Sequence, residues 1–470
     1  MQNIFLFGKI NNYVELEERI LKKNEEYIAE AIDNGFEGEG IFKINNMAVF
    51  APGIIKGEEV KLKILKVNKK FAFAKPMEII KESKYREKTI CDVYGKCGGC
   101  NLMHVNYNYQ MQIKKQRVET CLRKENVIAK VENTVGMGIP LHYRNKVQYP
   151  VSQDKNGKNI IGFYTKRSHN IIANNCCYIQ DEICDKVAKN VFSLLEKYNL
   201  KGYVEETKVG DIRHIIVRRG YYTNQVMVVI VTKKENTKNL VNLTKDIADN
   251  IEEVTTIVQN VNNADGNVIL GDKNNVLYGK GYIEDYIGEK KYKISASSFY
   301  QVNPVQTEFL YDTVKEYANL SGKEIVVDMY AGVGTIGIYL ADKASKVYGI
   351  EIVEEAVKMA NNTIEDNNIT NCEYVCGDAG ERLKEILKNN LEIDVTVIDP
   401  PRKGLDDNAI TTLLATDSKK IVYVSCNPAT LARDLKKLEE KYTVCKVQPV
   451  DMFPQTAHVE TVVLLERKAN

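Results

Sequence analysis

The sequence predicts a multidomain chain: a small β-barrel, then an α+β domain, then an open α/β sheet. Three observations predict it. Short alternating segments broken by glycines occupy residues 22–82. Strand-like and helical patterns are mixed over residues 89–288, and a regular strand–helix–strand alternation runs over 290–470. Glycine-punctuated short strands read as a barrel, and strands alternating with helices read as an open sheet of parallel strands. The 470 residues leave room for roughly two to four domains of about 100–200 residues each.

The first twenty or so residues carry no clear pattern beyond that of a short helix or arm. They have no charged start, long apolar stretch or small-residue cleavage site, so no secretory signal is expected. In the barrel region Gly35, Gly38, Gly40, Gly53 and Gly57 mark the turns. Between Lys56 and Lys88 there are eleven Lys and Arg against five Glu. With Phe71 and Phe73 on one strand face, this basic, aromatic surface is expected to meet RNA, since bases stack on aromatic rings while cations track the backbone. The alternative is a solvated face of a structural domain.

The central domain opens with cysteines and a helical stretch, YNYQMQIKKQRVETCLRKEN. HYRNKVQYPV, NIIGFYTK, RHIIVRRG and NQVMVVIVT then read as strands. In the first of these, Arg144, Lys146 and Gln148 alternate and so share a face, where they could meet phosphates, with Tyr143 and Tyr149 nearby. Arg213, His214, Arg218 and Arg219 are further candidates of the same kind. In the C-terminal part EIVVDMY, KVYGIE, CEYVC, VTVIDPP, IVYVSC and HVETVVLLER are the expected strands. No internal repeat or low-complexity tract is seen.

Lys plus Arg is 65 and Asp plus Glu is 63, so any nucleic-acid surface must be local rather than global. No apolar run approaches the roughly 18 residues a membrane helix needs, so no membrane association is expected. Eleven cysteines, an odd number spread along a long chain, argue against a disulfide scaffold and for a reducing cytoplasm. Cys91, Cys97 and Cys100 stand apart in the spacing C-x5-C-x2-C, which suits iron–sulfur or zinc, and the residues alone do not separate the two. Cys121, Cys184, Cys372, Cys376 and Cys445 are read as packing residues.

EIVVD runs into MYAGVGTIG, where Gly332, Gly334 and Gly337 form a GxGxxG, and Glu351 ends the next strand. That pattern alone would also fit a nicotinamide enzyme. Asp328, Asp378 and Asp399 at successive strand ends shift the reading, because acids lining one crevice suit the cationic sulfonium of S-adenosylmethionine. Cys426 follows IVYVS and precedes Asn427-Pro428, a sharp turn that would present the thiol. Glu460 lies in the last strand. A thiolate adding to C6 of a uracil makes C5 nucleophilic, and a carboxylate then removes the C5 proton. Cys426 suits the first task and Glu460 the second, with Asp399 and Arg402 orienting the base or stabilising developing charge. Taken singly, Cys426 would be a small buried hydrophobe and Glu460 a surface strand residue.

DPPRKG, sixteen residues, then IVYVSCNPAT resembles the signature of the RNA uracil-5-methyltransferase family. The resemblance covers almost the whole chain and is to the 23S rRNA branch, with its TRAM-like (OB-like) barrel, central domain with a cysteine cluster and Rossmann-like methyltransferase domain. It implies Cys426 as nucleophile and Glu460 as base. It also implies S-adenosylmethionine contacts from Gln301 in FYQVNP, Tyr330 in DMYAG, Glu351, Asp378 and Asp399. It implies a [4Fe–4S] cluster on Cys91, Cys97, Cys100 and a fourth cysteine in NNCCYIQ, taken as Cys177 rather than Cys176 because Tyr178-Ile179 follows it. The cluster is expected to be structural or to shape RNA binding.

The partner is then RNA, with ribosomal RNA preferred over transfer RNA, and the protein is expected to be a monomer. Amino methylation of adenine or guanine is disfavoured because Arg402, not an aromatic, follows the two prolines. Cytosine-5 methylation uses other motifs around its thiol. A non-catalytic RNA-binding ribosome assembly factor is the alternative from a different class.

Overall fold

The computed structural model describes residues 21–166, 168–388 and 392–469. The N-terminal helix or arm lies outside them. The chain divides into two compact units, residues 1–86 and 87–470.

In the first unit the strands are β1 (Glu26–Glu30), β2 (Asp33–Asn34), β3 (Gly40–Ile44), β4 (Met47–Ala51), β5 (Glu59–Val67) and β6 (Phe71–Lys81). They form one sheet in the order β1-β5-β6-β4-β3-β2. The edge strands β1 and β2 are consecutive in the chain, and just before β2 the Ile32 N–H bonds the Ile41 carbonyl of β3 at 2.7 Å. Alternation explains the core: Leu62 and Ile64, and Ala72 and Ala74, point inward and are buried. Phe71 and Phe73, which alternate with them, meet Phe50 at centroid distances of 5.9 and 6.1 Å on the opposite face. The tight β3–β4 turn is made by Asn45 and Asn46, both at positive φ, not by a glycine.

The second unit begins with helix α1 (Tyr107–Lys124), capped by the Asn106 side chain. Strands β7 (Lys146–Gln153), β8 (Asn159–Ile161), β9 (Phe163–Tyr164) and β10 (Ile171–Ile172) follow, then α2 (Glu182–Lys197), β11 (Ile212–Arg219), β12 (Val226–Thr232), α3 (Leu240–Asn250), β13 (Val254–Val261) and β14 (Lys273–Tyr278). They build a six-stranded sheet, β14-β13-β12-β11-β7-β8, with β9 and β10 paired apart from it. NIIGFYTK breaks at Gly162, where a Cβ would stand 2.0 Å from the Ile172 carbonyl oxygen. The hairpin β15 (Tyr282–Ile287) and β16 (Lys290–Ser295) holds in its turn the division expected at 288–290.

Next come α4 (Pro304–Ala318), β17 (Ile325–Met329), α5 (Thr335–Leu340), β18 (Lys346–Glu351), α6 (Glu354–Asp366), β19 (Cys372–Cys376), α7 (Ala379–Lys388), β20 (Val395–Ile398), α8 (Asp407–Ala415), β21 (Lys420–Ser425), α9 (Pro428–Leu438), β22 (Tyr442–Val450) and β23 (Glu460–Arg467). The sheet order is β19-β18-β17-β20-β21-β23-β22, with β17 to β21 parallel and β23 antiparallel to both neighbours. It is a doubly wound α/β sheet. The strand order reverses beside β17, which opens a crevice at the carboxyl ends of β17, β18, β20 and β21. One hydrophobic cluster runs from Ile216 and Val229 of the six-stranded sheet to Val326 and Val422 of this one. No helix among the described residues is long and apolar enough to cross a membrane.

Tyr374 of β19 explains three glycines. Its hydroxyl donates to the Gly334 carbonyl at 3.1 Å. A Cβ on Gly334, Gly337 or Gly349 would lie 2.8, 2.3 or 2.0 Å from its side chain. Two glycines of the GxGxxG thus make room for a buried tyrosine, and Gly332 alone of the three faces the crevice. Gly349→Ala is expected to cost about 1–3 kcal/mol in denaturant unfolding. In a Tyr374→Leu background the same change should cost under about 1 kcal/mol, because the clash is with that ring. Equal costs in both backgrounds would contradict this packing.

Candidate functional site

The strand ends of the doubly wound sheet open into a cavity of about 810 Å³. Each residue expected to bind the cofactor or to react lines it: Gln301, Tyr330, Glu351, Asp378, Asp399, Cys426 and Glu460. The sheet register brings the last two together. Ser425 of β21 pairs with Thr461 of antiparallel β23, so the next pair outward is Cys426 and Glu460. Asn427 accepts from the Ala429 N–H at 3.2 Å and caps α9, which turns the chain sharply after the cysteine.

The acids divide into two sorts. Glu351 accepts from the Gly332 and Val353 N–H groups, both at 2.9 Å, so it holds the glycine loop as well as facing the cavity. Asp378 accepts from the Gly380 and Glu381 N–H groups at 3.0 and 3.1 Å at the start of α7. Asp328, Asp399 and Glu460 are poorly solvated instead. Burial pushes Asp328 up to about 7, although it accepts from the Gly337 N–H at 2.9 Å. Burial pushes Asp399 up to about 7. Burial and then the Asp399 carboxyl push Glu460 up to about 8. The Cys426 thiol rises to about 11, first from burial, then from Glu460 and Asp399, with Arg402 opposing. Such displaced values mark a site built for charge to appear or be neutralised. Tyr330 has φ +62°, an unusual conformation for a bulky residue, held beside the glycine loop.

The segment carrying Phe453 and His458 into the cavity mouth is tied down by α1. Buried Lys114 pairs with buried Asp451 and donates to the Phe453 carbonyl at 3.1 Å. Tyr107 donates to Asp451 at 2.8 Å, and Gln110 and Gln455 exchange bonds of 3.0 and 3.1 Å. Sequence reasoning missed His458, Phe453 and Phe299, which all line the cavity. Phe299 stands two residues before Gln301, and His458 two before Glu460. That spacing on an extended chain was the available signal.

A second cavity, of about 230 Å³, is lined by Cys91, Cys97, Cys100 and Cys177. Cys176 is exposed and does not line it. Burial raises the Cys177 thiol to about 11 and raises Cys100 further, with Cys177, Cys97 and Cys91 adding to the rise at Cys100. Among the described residues no group of three or more His, Cys, Asp or Glu side chains is gathered to hold a metal ion.

In the strand expected to meet phosphates, Arg144, Lys146 and Gln148 share a face that lines the thiol cavity, and Arg144 also lines the larger cavity. Tyr143 is buried and donates to the Pro454 carbonyl at 3.0 Å, and Tyr149 is buried against Asp185. Arg213 is buried under the Asn262 and Ala264 carbonyls. Arg218 is buried under those of Ser295 and Ser298, and Arg219 pairs with Asp181 at 2.5 Å. His214 is also buried. These cations satisfy carbonyls and a carboxylate inside the fold. Cys445, expected as a packing residue, is exposed.

Residues 106–468 match the family described as tRNA (Uracil-5-)-methyltransferase. An uncharacterized RNA methyltransferase of Clostridium tetani is 46% identical over 447 residues, covering 95% of this chain and 97% of its own. One from Clostridium acetobutylicum is 44% identical over 452 residues, covering 95% and 98%. Among solved structures, the Pyrococcus abyssi tRNA (uracil-54, C5)-methyltransferase in complex with S-adenosyl-L-homocysteine superposes with a TM-score of 0.75 at 28% identity, covering 93% of this chain and 99% of that one.

The displaced acid gives a pH test. A Glu460 carboxyl near 8 in the fold and near 4.5 when unfolded holds more protons in the native state between those values, so stability falls as pH rises through that window. Glu460→Gln removes this loss. Its melting temperature should gain on the parent by a few degrees more at about pH 8.5 than at about pH 5. A gap that stays constant with pH would contradict a neutral, buried carboxyl.

Proposed function

The chain belongs to the tRNA (uracil-5-)-methyltransferase family, and from that premise we propose that it methylates C5 of a uridine in 23S rRNA through a covalent adduct on Cys426. It is an S-adenosylmethionine-dependent RNA uracil-C5 methyltransferase. The observation that carries the proposed mechanism is the meeting of Cys426, Glu460 and Asp399 in one cavity with the strand-end acids.

S-adenosylmethionine supplies the methyl group. Gln301, Tyr330, Glu351, Asp378 and Asp399 surround the space where it would bind. Cys426, Glu460 and Asp399 lie where a nearby cation lowers all three pKa values, so thiolate and carboxylate are favoured in the loaded cavity. Cys426 loses its proton to solvent and its sulfur bonds C6 of the uracil. The electron pair this places on C5 takes the methyl group as the sulfonium–methyl bond breaks, its electrons staying on the thioether sulfur of S-adenosylhomocysteine. Glu460 removes the C5 proton, the C5–C6 double bond reforms, and the sulfur leaves as thiolate. The target base must be unstacked to reach the thiol. The first unit is read as a TRAM-like barrel whose Phe50, Phe71 and Phe73 offer a stacking platform between exposed lysines.

Cys91, Cys97, Cys100 and Cys177 are read as ligands of a [4Fe–4S] cluster. Four thiols around one cavity suit it chemically. A four-iron cube is wider than a single ion, so its ligands need not gather as ligands of one ion do. When bound it would brace the loops of this region. Ribosomal RNA is preferred because a barrel and four such cysteines together resemble the 23S rRNA branch. A transfer RNA target is the second reading, favoured by the fold shared with the Pyrococcus abyssi enzyme.

Incubating the protein with 23S rRNA and tRNA transcripts and labelled S-adenosylmethionine, then mapping 5-methyluridine, separates the two. The 23S transcript should carry the label, and Cys426→Ala should abolish it, a loss of at least about 10³-fold. Label confined to tRNA, or methylation undiminished in Cys426→Ala, would contradict the proposal.

A further inference from the structure

Arg144 lines both the thiol cavity and the catalytic cavity. The backbone around it is hydrogen-bonded to both. Arg144 N–H donates to the Ile179 carbonyl at 3.0 Å, Asp181 N–H donates to the Arg144 carbonyl at 2.9 Å, and His142 N–H donates to the Tyr178 carbonyl at 2.8 Å. These bonds lace residues 142–144 to the segment that directly follows Cys177. One residue on, Asn145 N–H donates to the Val302 carbonyl at 2.9 Å. Val302 follows Gln301 of the catalytic cavity wall. Asn303 then caps α4 and donates to the Met452 carbonyl at 3.0 Å. The strip 142–145 is therefore bonded to a thiol-bearing loop on one side and to the catalytic wall on the other.

The Arg144 side chain hydrogen-bonds the Tyr143 hydroxyl beside it. No carboxylate pairs with the Arg144 guanidinium among the described residues. A fork of five donors without an anionic partner, at the edge of a nucleic-acid cavity, suits a phosphate.

We propose that Arg144 is a positioning residue that couples the two cavities: a filled thiol cavity fixes the strip 142–145, and the guanidinium so fixed holds a phosphate of the RNA at the mouth of the catalytic cavity. This rests on the RNA methyltransferase reading of that cavity. Loss of a thiol ligand frees the Cys177 loop, the strip follows through its three backbone bonds, and the guanidinium loses its alignment. The four cysteines then act on RNA binding at a distance, without touching RNA.

The test is RNA affinity, measured by fluorescence anisotropy without S-adenosylmethionine on a methyl-accepting 23S rRNA transcript, for Arg144→Gln, Cys177→Ser and the double variant. Each single change should weaken binding about tenfold. The double variant should be no more than about two- to threefold weaker than Cys177→Ser alone. Arg144→Gln should also reduce the slope of log affinity against log salt by about one, and Arg144→Lys should restore it. Affinity for S-adenosylhomocysteine, by calorimetry, should be unchanged in Arg144→Gln. If Cys177→Ser does not fold, the same cycle is run with Cys91→Ser. Losses that multiply in the double variant, or an unchanged affinity and salt slope in Arg144→Gln, would overturn the coupling. Failure of the underlying reading would show separately, as no 5-methyluridine in RNA treated with the unsubstituted protein.

Discussion

The pairing of β21 with β23 is the constraint on which the catalytic cavity depends. A parallel strand ends at Ser425, and an antiparallel strand begins at Glu460 beside it. In that register alone the thiol of Cys426 and the carboxyl of Glu460 meet at the same end of the sheet. A slip of one residue would send Glu460 to the other face and leave Thr461, which has no acid–base use at neutral pH, beside the thiol. The segment before β23 is correspondingly well held. The buried Lys114–Asp451 pair, the Gln110–Gln455 exchange and the Asn303 bond to Met452 fix it against α1 and α4. Breaking a buried ion pair costs about 3–5 kcal/mol, so this anchor resists the local fraying that would blur the register.

Burial and charge act on that geometry together. Asp328, Asp399 and Glu460 would be ionised in water, yet burial lifts each to about neutrality or above. Burial therefore holds back the charge of these three acids, while Glu351 and Asp378 at the same cavity accept backbone hydrogen bonds. A cation entering the cavity favours their ionised forms, so its binding is linked to their ionisation. The glycine loop contributes less to ligand approach than its pattern implied. Gly334 and Gly337 make room for Tyr374, which locks the loop from below, while Gly332 and Tyr330 hold the left-handed turn that opens it.

Much of this was legible in the sequence. The six expected strands of the C-terminal sheet all form; in the five parallel ones an apolar run with Asp, Glu or Cys at its end marks a buried strand whose tip faces the crevice. β22 was not seen, since the register shift between Val444 and Lys446 breaks its alternation and Pro449 argues against a strand. β13 to β16 were also not seen within the mixed central pattern. Periodicity showed that Arg144, Lys146 and Gln148 share a face, but not which cavity that face would meet. Arg213 and Arg218 read as surface cations because sequence does not reveal the carbonyls that satisfy them, which lie some 50 to 80 residues away in the chain. The cavity acids were legible as strand ends. Phe299, Phe453 and His458 were not, because loops carry them to the mouth.

The most direct test is to trap the sulfur–pyrimidine bond. RNA containing 5-fluorouridine keeps fluorine where the C5 proton would leave, so an adduct that forms cannot resolve. The protein and this RNA, with S-adenosylmethionine, should give a complex that survives denaturation, and digestion should place the nucleotide on Cys426. A denaturation-stable complex mapped to another residue, or none while ordinary RNA is methylated at full rate, would contradict the account.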